Sequence, residues 1–292
     1  MIDLHMHSTY SDGSRTPEQL LREARELGLK AIALTDHDTI EGVPEFVELS
    51  QKYGITAVPG VEISVDTKLP NNGHMHILGL LIDPEDQKLR DTLNYLMNQR
   101  NIRANKIIEK LKALDVDISM EELLEEAGEG SIGRPHVAKI LLRKGYVSSI
   151  QEAFDSYLAK GKPAYMDKAK LGEAAALKMI HDANGLAILA HAHFMHYDTF
   201  EAAKEKILAL KALGLDGFEV YYSGMPAEYT EKLLQLAETH DFVISGGSDY
   251  HGVNKDKVKM GTGINNDLAV PDAILDQLIE RKKRKHALPS DK

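Results

Sequence analysis

Short apolar segments alternate with amphipathic segments along most of this chain. Segments of strand length, apolar or alternating, occur at residues 2–7, 31–34, 56–58, 76–80, 186–189, 217–220 and 242–245. Most are separated by helical patterns; the first of these follows Thr16, which fits a capping box with Gln19, and it ends at Gly28. Repeated strand–helix units predict an α/β fold with a parallel sheet, here a seven-stranded barrel.

The alternation stops between about residues 84 and 165, where every predicted element is a helix. The helical segments cover residues 87–114, 119–127, 135–144 and 149–158. A long helical block inside an alternating pattern is typical of an inserted subdomain. We therefore predict a barrel domain formed by residues 1–83 and 166–292, and an inserted helical subdomain of residues 84–165 that covers the active site.

The composition excludes several classes of protein. The chain of 292 residues has no cysteine, so disulfides and thiolate metal sites are excluded. Its formal net charge of −10 argues against broad, nonspecific binding to nucleic acid. No apolar stretch approaches the roughly 20 residues that span a bilayer, and polar residues interrupt any signal-like run near the N-terminus. We expect a cytoplasmic enzyme without a membrane contact, and we infer no obligate protein partner.

Potential metal ligands cluster near the ends of the predicted strands. His5 and His7 lie two residues apart on one strand and therefore face the same side. Glu62 is predicted to follow the third strand, and His76 to lie on the fourth. The remaining candidates follow other strands or the first turn: Asp12, His37, His191, Asp249 and His251. Each alone fits a turn, a cap or a solvated side chain. Six histidines and three carboxylates together exceed what caps and turns require, and they predict a metal centre.

The chemistry of these ligands favours phosphate ester hydrolysis. A site rich in imidazole and free of thiolate favours manganese, iron or zinc over magnesium or calcium. Two ions about 3.5–4 Å apart can activate water and neutralise an attacked phosphoryl group. Bound divalent ions can reverse the local sign of charge, so such a site attracts a phosphate even in an acidic protein.

Six segments resemble, in order, the motifs of the PHP (polymerase and histidinol phosphatase) family: His5-Met6-His7, Ser11-Asp12-Gly13, Thr35-Asp36-His37-Asp38, Gly60-Val61-Glu62, Ala190-His191 and Ser248-Asp249-Tyr250-His251. The resemblance covers nearly the whole chain and implies a distorted seven-stranded barrel with two or three divalent ions. It implies one ion held by His5, His7, Glu62 and Asp249. Glu62 would bridge to a second ion held by His76 and His191, and a third would be held by Asp12, His37 and His251.

The helical block looks like the insertion of the bacterial PHP branch that acts on nucleoside 3′,5′-bisphosphates and short RNA 5′ ends. The similarity lies in Gly133-Arg134-Pro135-His136. It implies a phosphatase for a small phosphorylated nucleotide whose activity extends to trimming short RNA. Arg134 is the candidate for gripping a phosphate, since its fork matches phosphate oxygens. Further candidates for substrate binding are His136 and Lys162, and for catalysis Glu62, His136 and His193.

Two other readings of the chain remain open. The first is hydrolysis of histidinol phosphate, against which only the helical block with Arg134 argues. The second is a noncatalytic metal-binding module, as in degenerate PHP domains attached to polymerases, against which the complete ligand set argues. Arg134 could instead pair with a nearby carboxylate at its helix start, and Lys162 could be an ordinary surface residue.

Overall fold

The computed structural model describes residues 1–128, 132–167 and 169–287. Within these ranges the chain forms eight strands and ten α-helices. The strands are β1 (Ile2–Asp3), β2 (Ala31–Leu34), β3 (Thr56–Asp66), β4 (His76–Leu80), β5 (Leu171–Gly172), β6 (Leu186–Leu189), β7 (Gly217–Tyr222) and β8 (Val243–Gly247). The helices are α1 (Pro17–Glu26), α2 (Val43–Tyr53), α3 (Gln87–Lys112), α4 (Met120–Ala127), α5 (Arg134–Arg143), α6 (Ile150–Ala153), α7 (Glu173–Asp182), α8 (Phe200–Ala212), α9 (Ala227–Thr239) and α10 (Ala273–Ala287).

Seven strands form a nearly closed sheet in the order β1-β2-β3-β4-β6-β7-β8, and β5 pairs with the end of β3. The ends of the sheet meet where Met6 bridges Tyr250 and the Leu4 amide donates to the Gly246 carbonyl at 3.1 Å. The predicted α/β barrel of seven strands is therefore confirmed. It is not wholly parallel, because β4 runs antiparallel to both β3 and β6. No α-helix separates β3 from β4, and so short a connection returns the chain antiparallel.

Two strand boundaries differ from the prediction. The segment 2–7 pairs as a strand only at Ile2–Asp3, and the chain beyond it is irregular. The third strand continues to Asp66, because β3 pairs with β2 up to Pro59 and with β4 from Gly60 onward. The sequence Pro59-Gly60 is typical of a turn, but here it marks a change of partner strand. Glu62 therefore lies on β3, not after it.

Side-chain caps fix the starts of several helices. Thr16 and Gln19 form the predicted capping box on α1, and Ser119 and Glu122 form another on α4. Each box satisfies two backbone N–H groups that the helix itself leaves unpaired. Asp38 followed by Glu41 also fits a helix cap in the sequence, but Asp38 does not cap α2. That helix starts with Gly42 as its N-cap, and Asp38 instead accepts a hydrogen bond from the Ser64 amide at 2.8 Å.

The chain divides into two compact units. The barrel unit comprises Met1–Asp91 and Lys170–Lys292, and the helical unit comprises Thr92–Ala169. In the barrel unit, strand residues such as Ile2 and Ile188 pack with α10. The helical unit has a separate core of apolar side chains from α3, α4, α5 and α6, with Phe154–Leu158 forming a π-helical turn. The helical unit starts at Thr92 and ends at Ala169, whereas the predicted subdomain covers residues 84–165. That the helical unit covers the active site stays a prediction.

Candidate metal centre

Side chains from six strands and the loops that follow them meet at the ligand-bearing end of the barrel. The barrel unit contains all nine predicted ligands, and it buries His5, His7, Glu62, His191, Asp249 and His251. His37 and His76 are half-buried, and the side chain of Asp12 is 48% exposed, so solvent reaches the cluster on its side. Buried ionisable groups in such number need charge compensation, which a cation can supply.

Eight of the nine ligands fall into three overlapping groups whose ligand atoms lie within 4.8 Å of one another. One group is His5, His7, Glu62 and Asp249, the same four that the resemblance assigns to one ion. Another is His7, Asp12, His37 and His251, which adds His7 to the implied set. The last is His37, Glu62 and His76. His191 lies outside these groups, but its Nε2 is 3.1 Å from Glu62 Oε1.

Glu62 occupies the centre of the cluster, and its two oxygens face different histidines. Oε2 lies 3.3, 3.2 and 3.0 Å from ring nitrogens of His5, His7 and His37. Oε1 lies 2.7 Å from His76 Nδ1 and 3.1 Å from His191 Nε2. A carboxylate with one oxygen toward each of two histidine sets has the geometry of a bridging ligand.

Unsatisfied buried atoms provide a direct test of whether this cluster fits metal ions. Within the described part of the chain, ten buried side-chain nitrogen or oxygen atoms lack a hydrogen-bond partner, and six belong to predicted ligands: His5 Nε2, His7 Nε2, His37 Nδ1, Glu62 Oε2, His191 Nδ1 and His251 Nε2. Buried polar atoms normally have partners, because leaving one unpaired costs about 1–3 kcal/mol. The atoms of His5, His7 and His37 lie 3.3, 3.2 and 3.0 Å from Glu62 Oε2. The residues present therefore fit divalent cations.

The electrostatics of the cluster favour bound positive charge. Burial lowers the pKa of His7, but the neighbouring carboxylates of Asp249 and Glu62 outweigh it and raise the pKa to about 9. Burial likewise opposes ionisation of Glu62, yet positive charge on neighbouring histidines, above all His37, holds its pKa well below the usual range. The carboxylates therefore stay ionised and attract protons to their neighbours. A divalent cation satisfies the same carboxylates while leaving the imidazoles neutral.

Two other histidines are already in the protonation state that a metal requires. Burial lowers the pKa of His76 to about 3, and it lowers that of His251 to about 4 with help from the charge of His7. Both rings are neutral near pH 7. Neutral imidazole is the form that coordinates a metal, so neither ligand has a proton to lose on binding.

The model of the PHP domain family matches residues 3–261. The chain belongs to the PHP family. It is 34% identical over 250 residues to the 5′-3′ exoribonuclease of Haemophilus influenzae, covering 85% of this chain and 89% of that protein. It is 32% identical over 252 residues to the 3′,5′-nucleoside bisphosphate phosphatase of Chromobacterium violaceum, covering 86% and 87%. A solved structure from Bifidobacterium adolescentis, described as a metal-dependent phosphoesterase, is similar with a TM-score of 0.80 and 29% identity over 96% of both chains.

This PHP protein is therefore a metal-dependent phosphoesterase, a hydrolase of phosphoric ester bonds. The prediction of that enzyme class from the ligand motifs is confirmed. Membership of the family establishes that the enzyme depends on metal ions. In the described ranges, no helix is long and apolar enough to span a membrane.

Three residues that support the PHP ligands were missed in the sequence. Glu219 on β7 is fully buried, and its Oε1 lies 3.0 Å from His5 Nδ1. The Tyr222 hydroxyl donates to Asp249 Oδ2 at 2.8 Å, and burial beside that carboxylate raises the pKa of Tyr222, so it remains a donor. Lys255 pairs with the same Oδ2 at 2.7 Å. Only Glu219 could have been found in the sequence, because it lies within an otherwise apolar strand, where a charge needs a specific partner.

Further buried carboxylates hold the loops that carry the ligands. Asp36 accepts from the Ser8 amide at 2.8 Å, next to His7, and Asp3 accepts from the Ser248 amide at 2.9 Å, next to Asp249. Burial raises the pKa of both carboxyls, although these hydrogen bonds oppose the increase. Asp36 flanks His37 but points away from it, and its partners show that it fixes the loop after β1.

The candidates outside the ligand set have mixed surroundings. His193 is half-buried, with its ring 4.1 Å from that of Phe194 and 5.3 Å from that of Tyr222, and its Nδ1 has no partner in the described chain. Burial lowers its pKa to about 4. It lies two residues beyond His191. Its catalytic role stays a prediction.

The substrate-binding candidates all lie in the helical unit. Arg134 Nη1 donates to the Leu158 carbonyl at 3.0 Å, and its guanidinium lies over the rings of Phe154 and Tyr165 at 5.8 and 5.2 Å. The π-helical turn thus helps hold Arg134, and no carboxylate is its partner among the described residues. His136 Nδ1 accepts from the Gly133 amide at 3.2 Å, and Lys162 is exposed. Their substrate contacts stay predictions.

Proposed function

We propose that this enzyme removes a phosphate from a small nucleotide such as a nucleoside 3′,5′-bisphosphate, and that its activity extends to short RNA 5′ ends. The observation that carries the hydrolytic part is the set of unsatisfied ligand atoms around Glu62. The substrate class rests on relatives that are named for a nucleoside bisphosphate and for RNA and that match most of this chain.

We propose that two to three divalent ions of manganese, iron or zinc occupy the cluster. His5, His7, Glu62 and Asp249 would hold one ion. His76 and His191 would hold a second with Glu62, whose Oε1 faces both rings. Asp12, His37 and His251 would hold a third. Nitrogen and oxygen ligands without thiolate suit these metals.

The chain's own residues would provide the orientation and the charge balance. Bound ions supply positive charge that stabilises an attacked phosphoryl group, and they lower the pKa of water at the site. Glu62, Asp249 and Asp12 hold that charge in place, and Asp12 is their most exposed member, on the side open to solvent. His193 and His136 remain the candidates for protonating the leaving oxygen.

A bisphosphate needs a second anchor, because the ligand cluster can engage only the phosphate that is cleaved. Arg134 is our candidate for the other phosphate. Its guanidinium donates one hydrogen bond to the Leu158 carbonyl, and the rings of Phe154 and Tyr165 pack against its plane. A planar fork held in advance loses less side-chain entropy when it binds a phosphate.

A substrate panel tests the proposed function. Phosphate release is measured with nucleoside 3′,5′-bisphosphates, 5′-phosphorylated short RNA, histidinol phosphate and p-nitrophenyl phosphate, each with manganese, iron and zinc. We expect the highest kcat/KM on a nucleoside bisphosphate. A preference for histidinol phosphate would favour the histidinol-phosphate phosphatase reading, and no hydrolysis of any phosphate ester would contradict the proposal.

Arg134→Ala should separate substrate binding from chemistry. Losing one charge-assisted contact costs about 1.5–3 kcal/mol, which corresponds to roughly 10- to 150-fold. We therefore expect kcat/KM on a nucleoside bisphosphate to fall by that factor, with much less effect on p-nitrophenyl phosphate and none on metal content.

Arg143→Ala is the matched control for Arg134→Ala. Arg143 lies at the other end of α5, is exposed and pairs with Glu126 at 2.6 Å. It should leave both substrates unaffected. If Arg134→Ala lowers activity on both substrates equally, Arg134 serves the reacting phosphate or the fold, and the bisphosphate assignment loses its support in the helical unit.

A further inference from the structure

Strand β7 supplies none of the proposed ligands, yet it places a buried carboxylate between two of them. Glu219 is fully buried. Its Oε1 lies 3.0 Å from His5 Nδ1, and its Oε2 accepts from the His191 backbone amide at 2.7 Å. His5 belongs to the group proposed for one ion, and His191 is a proposed ligand of another. A single carboxylate therefore contacts ligands of two ions.

We propose that Glu219 is a positioning residue that fixes the ring of His5 and the backbone of His191 for metal binding. This inference rests on the proposed ligand assignment and is independent of the proposed substrate. Carboxylates that accept a hydrogen bond from a metal-ligating histidine orient its ring and raise its basicity.

The first part of the role concerns the tautomer of His5. An ionised carboxylate can only accept, so His5 Nδ1 carries the hydrogen that faces Glu219. The lone pair of Nε2 is then directed into the cluster, where Glu62 Oε2 lies at 3.3 Å and Asp249 Oδ1 at 3.5 Å. Nε2 has no hydrogen-bond partner in the described chain, as expected of an atom reserved for a cation.

The second part concerns the backbone of His191. Its φ of 29° lies in the left-handed region, which a residue with a side chain rarely adopts. Such a conformation is energetically unfavourable and persists only where its surroundings hold it. The short hydrogen bond from its amide to Glu219 is the contact that holds this turn, and the turn brings the ring to within 3.1 Å of Glu62.

An irregularity in β7 extends the same role to a third ligand. The register with β8 shifts between Glu219 and Tyr221, as in a β-bulge. Tyr221 packs against the apolar core, whereas Tyr222 reaches Asp249 at 2.8 Å. A bulge re-aims the side chains that follow it. Glu219 and Tyr222 together thus contact three proposed ligands, while the strand that carries them contributes none.

Glu219→Gln tests the proposal with little change in shape. Both partners of Glu219 are donors, and an amide offers only one acceptor oxygen. One partner must therefore face an NH₂ group, which either forces the hydrogen of His5 onto Nε2 or removes the contact with His191. We expect the affinity for Zn²⁺, measured by competition with a chromogenic chelator, to fall roughly 10- to 100-fold. The melting temperature of the metal-free protein should change little.

Asp216→Asn is the matched control. Asp216 also accepts from a histidine ring and a backbone amide, namely His181 Nε2 at 2.9 Å and Ala187 N at 2.9 Å. His181 is in none of the described ligand groups, and Asp216 precedes β7 at the end of the barrel away from the cluster. This variant should lower the melting temperature and leave the affinity for Zn²⁺ within about twofold of the wild type.

Each outcome of these measurements either supports or overturns the positioning role. Weaker Zn²⁺ binding in Glu219→Gln, with an unchanged metal-free melting temperature and normal binding in the control, supports the positioning role. Wild-type affinity overturns it. If Glu219→Gln does not fold, Glu219→Asp takes its place, because it keeps the charge but cannot reach both partners. Failure of both variants to fold would also overturn the proposal, since Glu219 would then serve the fold itself. None of these readouts depends on which phosphate ester is the substrate.

Discussion

Glu62→Gln is expected to lower turnover about 10³-fold or more while the protein stays folded. Glu62 Oε2 faces His5, His7 and His37, and Oε1 faces His76 and His191. The amide keeps the shape of the side chain but loses its charge and one of its two acceptor oxygens. It is therefore a poor bridge between cations. Losing about 4 kcal/mol of transition-state stabilisation corresponds to this factor.

The measurement is kcat on p-nitrophenyl phosphate, with circular dichroism to verify folding. Glu48→Gln is the control, because Glu48 is an exposed glutamate on α2 in the same unit. It should keep full activity. Activity of Glu62→Gln within about tenfold of the wild type would contradict the bridging assignment while leaving the family assignment intact.

Removing the metal is expected to abolish hydrolysis with an effect of similar size. The ligand atoms of His5, His7, His37 and His251 lack other partners, so the cluster has no substitute for a cation. Without it, Asp249 and Glu62 remain ionised, since their pKa values lie well below the usual range despite burial. Protons on the neighbouring histidines can offset these carboxylates, but they do not activate water for attack as divalent cations do.

The experiment is dialysis against a strong chelator followed by addition of manganese, iron or zinc. Activity should fall below about a thousandth and return with at least one of these ions. A chelator already saturated with zinc is the control and should have little effect, because zinc binds more tightly than manganese or iron and is not displaced by them. Retained activity in protein that holds only trace metal would sink the mechanism.

The ligands could be predicted because local geometry places them. His5 and His7 lie two positions apart in the chain, and most other ligands fall within or just after strands, so the order of elements brings them to one end of a barrel. Which strands pair with each other could not be predicted from local sequence patterns. Pro59-Gly60 is typical of a turn. The sequence does not show that β3 pairs with β2 up to Pro59 and with β4 from Gly60 onward.

The supporting residues were missed for a related reason. Glu219 contacts His5 across 214 positions of the chain, and only the folded sheet brings them together. Tyr222 reaches Asp249 because of the irregularity in β7, which no pattern of apolar residues encodes. In the sequence Asp36 is only the neighbour of His37. Its hydrogen-bond partner Ser8 lies in the loop after β1, which the sequence does not place beside the loop after β2. Contacts between distant segments depend on register, and register is a property of the whole sheet.

The metal content of the purified, active protein tests the central claim most directly. The three ligand groups share His7, His37 and Glu62, so they describe one connected centre. Elemental analysis of freshly purified enzyme, with activity measured on the same sample, should give two to three equivalents of manganese, iron or zinc per chain. Activity should rise with occupancy when metal is restored to depleted protein. Full activity in a sample with less than about 0.1 equivalent of any transition metal would contradict the account.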